Sequence, residues 1–301
     1  WFTERMPPAS LPPSTAASRV AVCGPASWNH LILLDRLPEP VPHMQFAIGD
    51  HSTLGGTSAG KALHLADRGV EVALHALIGV DEDGRRVATA LAAGNVRLET
   101  YPSERTERHA NLMTPAGERV SLYLSTPSSP AAADVDRMEA AVGEADVAVI
   151  DLSEVGAALV DRRLAGATGA PIWTDLHDYD GTSPFHEPFL RAADLVFMND
   201  DATGDPWALM QSCLDRGPRI AVCTLGAQGG IALSATGERT EVPAVQVDVV
   251  DTNGAGDAFF AGFLTASLAG EDLTSCLAAG ARQATVALAS KHLHPAVAAV
   301  V

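Results

Sequence analysis

Residues 251–270 read DTNGAGDAFFAGFLTASLAG. The first seven are small or acidic and the rest form an apolar run, so a tight turn feeds directly into a buried helix. Small residues let backbone N–H groups converge at a helix N-terminus, where they and the helix dipole stabilise negative charge. Asp257 stands at the inner edge of that turn without being needed to form it, and a carboxylate there can accept the proton of a hydroxyl held beside an anion. Phosphoryl transfer to an alcohol asks for those two parts, donors for the equatorial oxygens and a carboxylate that orients and deprotonates the attacking group. An Asp near a helix start is also a common cap and Gly-Ala-Gly a common turn. Taken alone, the stretch leaves both readings open.

A second glycine-rich stretch, LGGTSAGKAL at 54–63, admits three readings. Gly55 to Lys61 has the spacing of a phosphate-binding P-loop, but Ala62 stands where that loop needs a hydroxyl for magnesium. Gly56 to Gly60 is formally G-x-S-x-G, the elbow that raises a nucleophilic Ser58 in hydrolases. The third reading is a glycine turn that brings backbone close to a small hydroxylated substrate.

Composition narrows the field. The chain has 301 residues, 47% of them hydrophobic and 19% charged, and at roughly 150 residues per domain it makes one large domain or two. A net charge of -17 opposes a polyanion at long range, which sets aside nucleic acid and anionic membranes as partners. Cys23, Cys213, Cys223 and Cys276 include no C-x-x-C pair, and two lie in apolar strand-like runs, the usage of reduced buried thiols in a cytoplasmic protein. No apolar run reaches the roughly 18 residues of a membrane span. The Pro- and Ser-rich opening, 1–18, reads as a poorly ordered extension.

From Arg19 onward short β-rich runs (RVAVCG, VEVALHALIG, DVAVIDL, APIWTDL, DLVFMND, RIAVCTL) alternate with helical stretches such as AGKALHLADRG and GRRVATALAAG. This is βαβ repetition, which predicts an α/β fold whose mostly parallel sheet is covered by helices on both faces. The segments 37–53 and 99–126 break the pattern with alternation and turns, Pro115 to Glu118 reading as a hairpin turn. They predict a small β-lid inserted into a core made of 19–36, 54–98 and 127–301. A second hairpin follows Leu225 and leads into two apolar helices.

DTNGAGDAFFAGFL resembles, at every defined position, the C-terminal signature of the ribokinase-like, or PfkB, family of sugar and nucleoside kinases. The family's N-terminal signature is met by Gly55-Gly56, Ala62, Gly69 after six intervening residues and Gly79 after nine more. The resemblance covers nearly the whole chain after Arg19. It implies a three-layer ribokinase-like fold and an ATP- and magnesium-dependent transfer to an alcohol group of a small carbohydrate or nucleoside. In that reading Asp257 is the base, and the amides of Asn253, Gly254, Ala255 and Gly256 form the anion hole. Asn199, Thr224, Leu225, Gly226, Gly229 and Gly256 face the nucleotide; Asn29, Gly55, Gly56, Gly60 and Asp257 face the substrate. Magnesium binds with the phosphates, through water near Asn199, and no side chain is assigned to it directly. A monovalent cation near Asp251 and a homodimer through the lid are further expectations. Among the three readings of 54–63 the substrate-side turn prevails, because the other two lack an apolar strand before Gly55; Lys61 and Ser58 receive no catalytic role.

Departures from the family pattern fall on the substrate side. Gly60 stands where an Asn usually holds substrate hydroxyls, Asn29 where the first strand's loop usually offers an Asp, and Asn199-Asp200-Asp201-Ala202 replaces Asn-x-x-Glu. They imply that ribose is a poor substrate and that a nucleoside or substituted sugar is preferred, with Gly60 leaving space, Trp28 either an apolar wall or a core plug, and Asn111, Arg108 or His109 standing in for lost contacts. They also keep open a rival reading, a non-catalytic ligand-binding relative; a serine hydrolase using Ser58 comes third. His292-x-His294 reads as a solvated helix end, and His177-Asp178 and His186-Glu187 as loop surface, the first bordering the nucleotide site.

Overall fold

The β-rich runs become strands of one sheet because each is apolar on both sides. In β1 (Arg19–Cys23), Val20 and Val22 enter one buried cluster and Ala21 and Cys23 another, so the strand separates two cores, as a sheet covered on both faces requires. The computed structural model describes residues 18–301, so the extension expected at 1–18 lies outside the described residues apart from Ser18.

The further strands are β2 (Ser27–Leu33), β3 (Gly49–Gly55), β4 (Glu71–Gly79), β5 (Arg97–Ser103), β6 (Glu107–Met113), β7 (Arg119–Ser125), β8 (Val147–Ile150), β9 (Ile172–Asp175), β10 (Leu195–Asn199), β11 (Ile220–Thr224), β12 (Gly230–Ser234) and β13 (Arg239–Val242). The helices are α1 (Thr57–Asp67), α2 (Glu82–Ala93), α3 (Ala132–Gly143), α4 (Glu154–Leu164), α5 (Glu187–Ala192), α6 (Pro206–Leu214), α7 (Ala255–Leu268) and α8 (Leu273–Leu288).

Nine strands form the large sheet in the order β13-β12-β11-β10-β9-β8-β1-β4-β5, parallel except for the hairpin of β12 and β13. Helices α1, α2, α7 and α8 cover one face, through residues such as Leu63, Val87, Phe260 and Leu277. Helices α3 to α6 cover the other, through Met138, Leu159, Phe189 and Met210. The strand order reverses at β1 and β8, with β4 and β5 on one side and β9 to β11 on the other. A crevice opens outside the carboxyl ends of the strands at such a reversal.

The lid is a four-stranded sheet in the order β3-β2-β6-β7. Two strands cross the boundaries expected from the sequence. β2, in the segment assigned to the core, pairs with both β3 and β6; Pro25, which lacks an N–H for a ladder, turns the chain out of the large sheet just after β1. β5, most of it in the segment assigned to the lid, is the edge of the large sheet and pairs with β4. No strand forms over 37–48 among the described residues. The hairpin at 115–118 is present, with Gly117 at φ 88° and the Thr114 amide donating to the Glu118 carbonyl.

Helix starts divide by position. α2, α4, α6 and α8 begin behind Asp81, Ser153, Asp205 and Asp272, each accepting a backbone N–H of the first turn, which satisfies donors that a helix cannot satisfy itself. α1 and α7 begin instead behind Gly56 (φ 95°) and Gly254 (φ 80°) with no side-chain cap. Both point at the crevice.

Beneath the crevice Trp173, Phe197, Phe260 and Phe263 pack with ring centroids 4.4 to 6.3 Å apart. Phe263 is buried in this cluster, so Phe263→Ala is expected to lower the unfolding free energy in urea by about 3 to 5 kcal/mol, the cost of a large cavity.

Candidate active site

The carboxyl ends of four neighbouring parallel strands present a row of polar side chains. Asp151 follows β8, Asp175 ends β9, Asn199 ends β10 and Thr224 ends β11. Asn199 and Thr224 are paired in register. Beyond Thr224 the chain turns through Gly226 (φ 53°) and Gly229 (φ 107°), the Leu225 amide donating to the Gly229 carbonyl. A side chain added at Gly226 would meet nothing within 4 Å, so this turn is open. Asn199 accepts the Asp201 amide through Oδ1, which leaves its side-chain NH2 free to donate.

Asp257 enters from the first turn of α7 and is 7% exposed. The turn before it supplies donors unevenly. The Asn253 amide donates to Asp251 Oδ1 at 2.8 Å and the Ala255 amide to the Thr252 carbonyl at 3.3 Å. The amides of Gly254, Gly256 and Asp257 have no acceptor among the described residues. These three donors are open, and a side chain added at Gly256 would meet nothing within 4 Å. Asp251, beside which a monovalent cation is implied, serves here as an acceptor within the turn.

Two of the three readings of residues 54–63 do not fit their placement. Ser58 is fully buried and donates to Asp151 Oδ2 at 2.7 Å, so it is no exposed nucleophile. Lys61 is also fully buried, with its ammonium 3.2 Å from Asp151, 3.2 Å from Asp175 and 2.9 Å from Asp257, rather than in an open phosphate loop. Gly60 packs against Asp257, since a Cβ there would sit 2.6 Å from its Oδ2. The space expected at Gly60 is thus taken by Asp257. Gly55 and Gly56 have similar reasons: a Cβ on Gly55 would collide with Asn29 Nδ2 at 2.0 Å, and one on Gly56 with the Pro25 carbonyl at 2.4 Å.

Electrostatics in this cluster are strongly perturbed. Burial pushes the Asp257 carboxyl up to about 6 against the pull of Lys61, with Asp151 and Asp175 adding to the rise. Burial also opposes charge on Asp175, but His177 and then Lys61 outweigh it and hold that group down at about 2. Lys61 is held above its ordinary range, because Asp151, Asp257 and Asp175 together overcome the cost of burial.

The lid presents one face of β2 and β6 inward. Asn29, His109 and Asn111 on that face are 5%, 8% and 4% exposed, and Asn29 Oδ1 and Asn111 Oδ1 are buried without a hydrogen-bond partner among the described residues. His109 Nε2 lies 2.8 Å from Glu107 Oε1, an ion-pair distance without hydrogen-bond alignment. At the far end of the lid Arg119 reaches Asn253 Oδ1 at 3.5 Å.

Other expectations change. Trp28 points to the opposite face of β2, is buried in the apolar core and stacks under Arg86, so it is a core plug and no substrate wall. Arg108 also faces away, toward Asp83 at 3.8 Å. His292 and His294 are not a solvated helix end. His292 bonds Thr53 of β3 at 2.8 Å, and His294 is buried and accepts the Ala296 amide. His177 (φ 52°) stands 3.5 Å from Asp175, at the cluster rather than on the surface. Among the described residues no cluster of three or more His, Cys, Asp or Glu side chains is arranged to hold a metal ion, and no helix is long and apolar enough to cross a membrane.

The sequence reading missed Lys61, Asp151 and Asp175 as members of the site. Their signal was an Asp closing each of the apolar runs VAVID and IWTD, and a Lys in a helix otherwise bound for the core.

The pfkB family carbohydrate kinase profile matches residues 20–296. The chain belongs to this family. It is 33% identical over 271 residues to an acarbose 7(IV)-phosphotransferase of Actinoplanes sp., covering 87% of this chain and 89% of the relative. It is 28% identical to an ATP-dependent ribose-1-phosphate kinase of Halopiger xanaduensis, covering 86% of this chain and 88% of that one. Among solved structures, a microbiome-derived acarbose kinase, Mak1, superposes with a TM-score of 0.79 at 26% identity, over 92% of this chain and 94% of that chain. The protein is therefore a sugar or nucleoside kinase with a ribokinase-like fold, as its two glycine signatures imply.

The contact between Gly60 and Asp257 gives a direct check on the kinase. Gly60→Ala is expected to leave the circular dichroism spectrum unchanged but, if Asp257 takes part in the transfer, to lower kcat on the order of 10²-fold, the effect of a misplacement of about 1 Å.

Proposed function

We propose that this kinase transfers the γ-phosphoryl group of ATP to a hydroxyl of a substituted or oligomeric carbohydrate, with Asp257 as general base. The observation that carries the reading is Asp257 at the uncapped N-terminus of α7, with Oδ1 bound to Lys61 and Oδ2 without a hydrogen-bond partner among the described residues. That oxygen is placed to take the acceptor hydroxyl's proton as the oxygen attacks phosphorus. The open amides of Gly254, Gly256 and Asp257 hold the equatorial oxygens, aided by the positive end of the helix. Asn199, Thr224 and the turn from Leu225 through Gly226 to Gly229 bind the nucleotide.

The site suits magnesium on the nucleotide side, where Asn199, Asp200 and Asp201 offer the oxygen ligands that ion takes and Ala202 offers none. When bound with the triphosphate, magnesium neutralises charge on the transferring group. The lid excludes water from the transfer, and Val120, Leu122 and Leu124, exposed on the face of β7 opposite Tyr123 and His109, offer a surface for the homodimer.

Two observations favour a carbohydrate over a nucleoside. The inward face of the lid carries buried amide oxygens without partners, which suit hydroxyl donors, and Trp28 is not available to stack on a base. The acarbose 7(IV)-phosphotransferase of Actinoplanes sp. supports the same direction by its name.

ADP release measured over a panel of ribose, fructose, nucleosides, di- and oligosaccharides and amine-bearing pseudo-oligosaccharides tests the substrate class. The highest kcat/KM is expected on an oligomeric acceptor, and ribose as the best substrate overturns it. Asp257→Asn is expected to lower kcat by about 10² to 10⁴ while nucleotide affinity by calorimetry stays near the parent value. Because the base works only when ionised and its carboxyl is raised to about 6, kcat should be level near neutrality and fall about tenfold per pH unit below that value.

A further inference from the structure

Lys61 has no solvent exposure, yet its ammonium is shared by three carboxylates from three different elements. It lies 2.9 Å from Asp257 Oδ1 and 5.3 Å from the centroid of the Phe260 ring. Lys61 and its neighbour Gly60 divide the base between them, the ammonium holding Oδ1 and the missing side chain clearing the place of Oδ2. The remaining ionisable groups around the cage are Asp151 beyond β8, Asp175 on β9, His177 3.5 Å from Asp175, and the Cys23 thiol on β1. Burial and then Asp151 push that thiol up to about 12, so it stays neutral. Ionised together, the three carboxylates outnumber the ammonium.

We propose that Lys61 is the positioning residue of this kinase: it fixes one oxygen of Asp257 so that the other faces the acceptor, and with Asp151 and Asp175 it sets the pH at which that carboxylate can accept a proton. The inference rests on the reading of Asp257 as the base. An opposite charge within hydrogen-bond distance favours the ionised carboxylate, and like charges at similar range disfavour it. Lys61 and Asp151 must therefore move the acid limb of activity in opposite directions when each is neutralised. A residue that merely fills space or steadies the fold produces no such pair.

The test compares kcat against pH for the full chain and for Lys61→Met, Asp151→Asn and Asp257→Asn, using the best acceptor from the panel, with nucleotide affinity measured separately. Lys61→Met, nearly isosteric without the charge, should shift the acid limb up by about one pH unit or more. Its loss of rate at neutral pH should be recovered in alkaline solution, with ADP affinity within about threefold of the parent. Asp151→Asn should shift the limb down. Unmoved limbs in both variants overturn the proposal, as does a collapse of nucleotide affinity in Lys61→Met, which would make Lys61 a phosphate ligand. Should Lys61→Met fail to fold, Asp151→Asn decides alone: a downward shift supports the proposal and an unmoved limb overturns it. Parent-like kcat in Asp257→Asn removes the base assignment itself, whereas an inactive Asp257→Asn with unmoved limbs in the other two removes only the role of Lys61.

Discussion

An ionised group cut off from water has to be matched by others, and in this molecule that requirement falls on the ammonium of Lys61. Its partners arrive from the ends of two parallel strands and from the first turn of α7, while Lys61 itself comes from α1. Meeting the requirement therefore fixes α1 against α7 and both against the carboxyl edge of the sheet. Leaving any one buried charge unmatched costs about 3 to 5 kcal/mol, so the arrangement is specified strongly even though ion pairs of this kind add little net stability over well-packed apolar side chains. Gly60 belongs to the same constraint. Only a residue without a side chain lets the two helices come close enough for the adjacent Lys61 to reach Asp257.

Helix starts differ along the chain. At α2, α4, α6 and α8 an Asp or Ser closes the first turn, while α3 and α5 begin behind Ala131 and His186 with no side-chain cap. Where α1 and α7 meet the crevice, glycine begins the helix with positive φ and no side chain closes it. At α7 the donors are left open, the arrangement by which helix N-termini can hold an anion. At α1 the turn is packed against Pro25 instead, and its contribution to the site lies in Gly60 and Lys61 further along the helix.

Much of this was legible in the sequence. The parallel strands announced themselves as apolar runs because they are buried on both faces, and the turn 251–257 because, with the apolar run after it, it matches the C-terminal signature of the PfkB family. The lid was found in outline, but β2 was placed in the core and most of β5 in the lid. SWNHLIL and RLETYPS carry mixed patterns that do not state which sheet they join, and that choice is made by Pro25 and by pairing partners distant in the chain. Asp257 was legible because its neighbours constrain it. Lys61, Asp151 and Asp175 were not, since they are separated by 90 residues or more from at least one partner and converge only when the sheet forms. Gly60 was read as an absence, a lost Asn, whereas packing makes it a close approach.

The lid is fastened to the core along one margin. β3 is bonded to the 290–294 loop through Thr53 and His292 and through His51 and the Lys291 carbonyl. At the opposite margin, among the described residues, β7 reaches the core through the long side-chain bond from Arg119 to Asn253. The middle of the sheet is held as well, by Trp28 of β2 buried in the core under Arg86 and by Thr106, just before β6, bonded to Asp81 and Gly79. The margin at β7 is therefore where an acceptor longer than one sugar ring would leave the site with the fewest contacts broken.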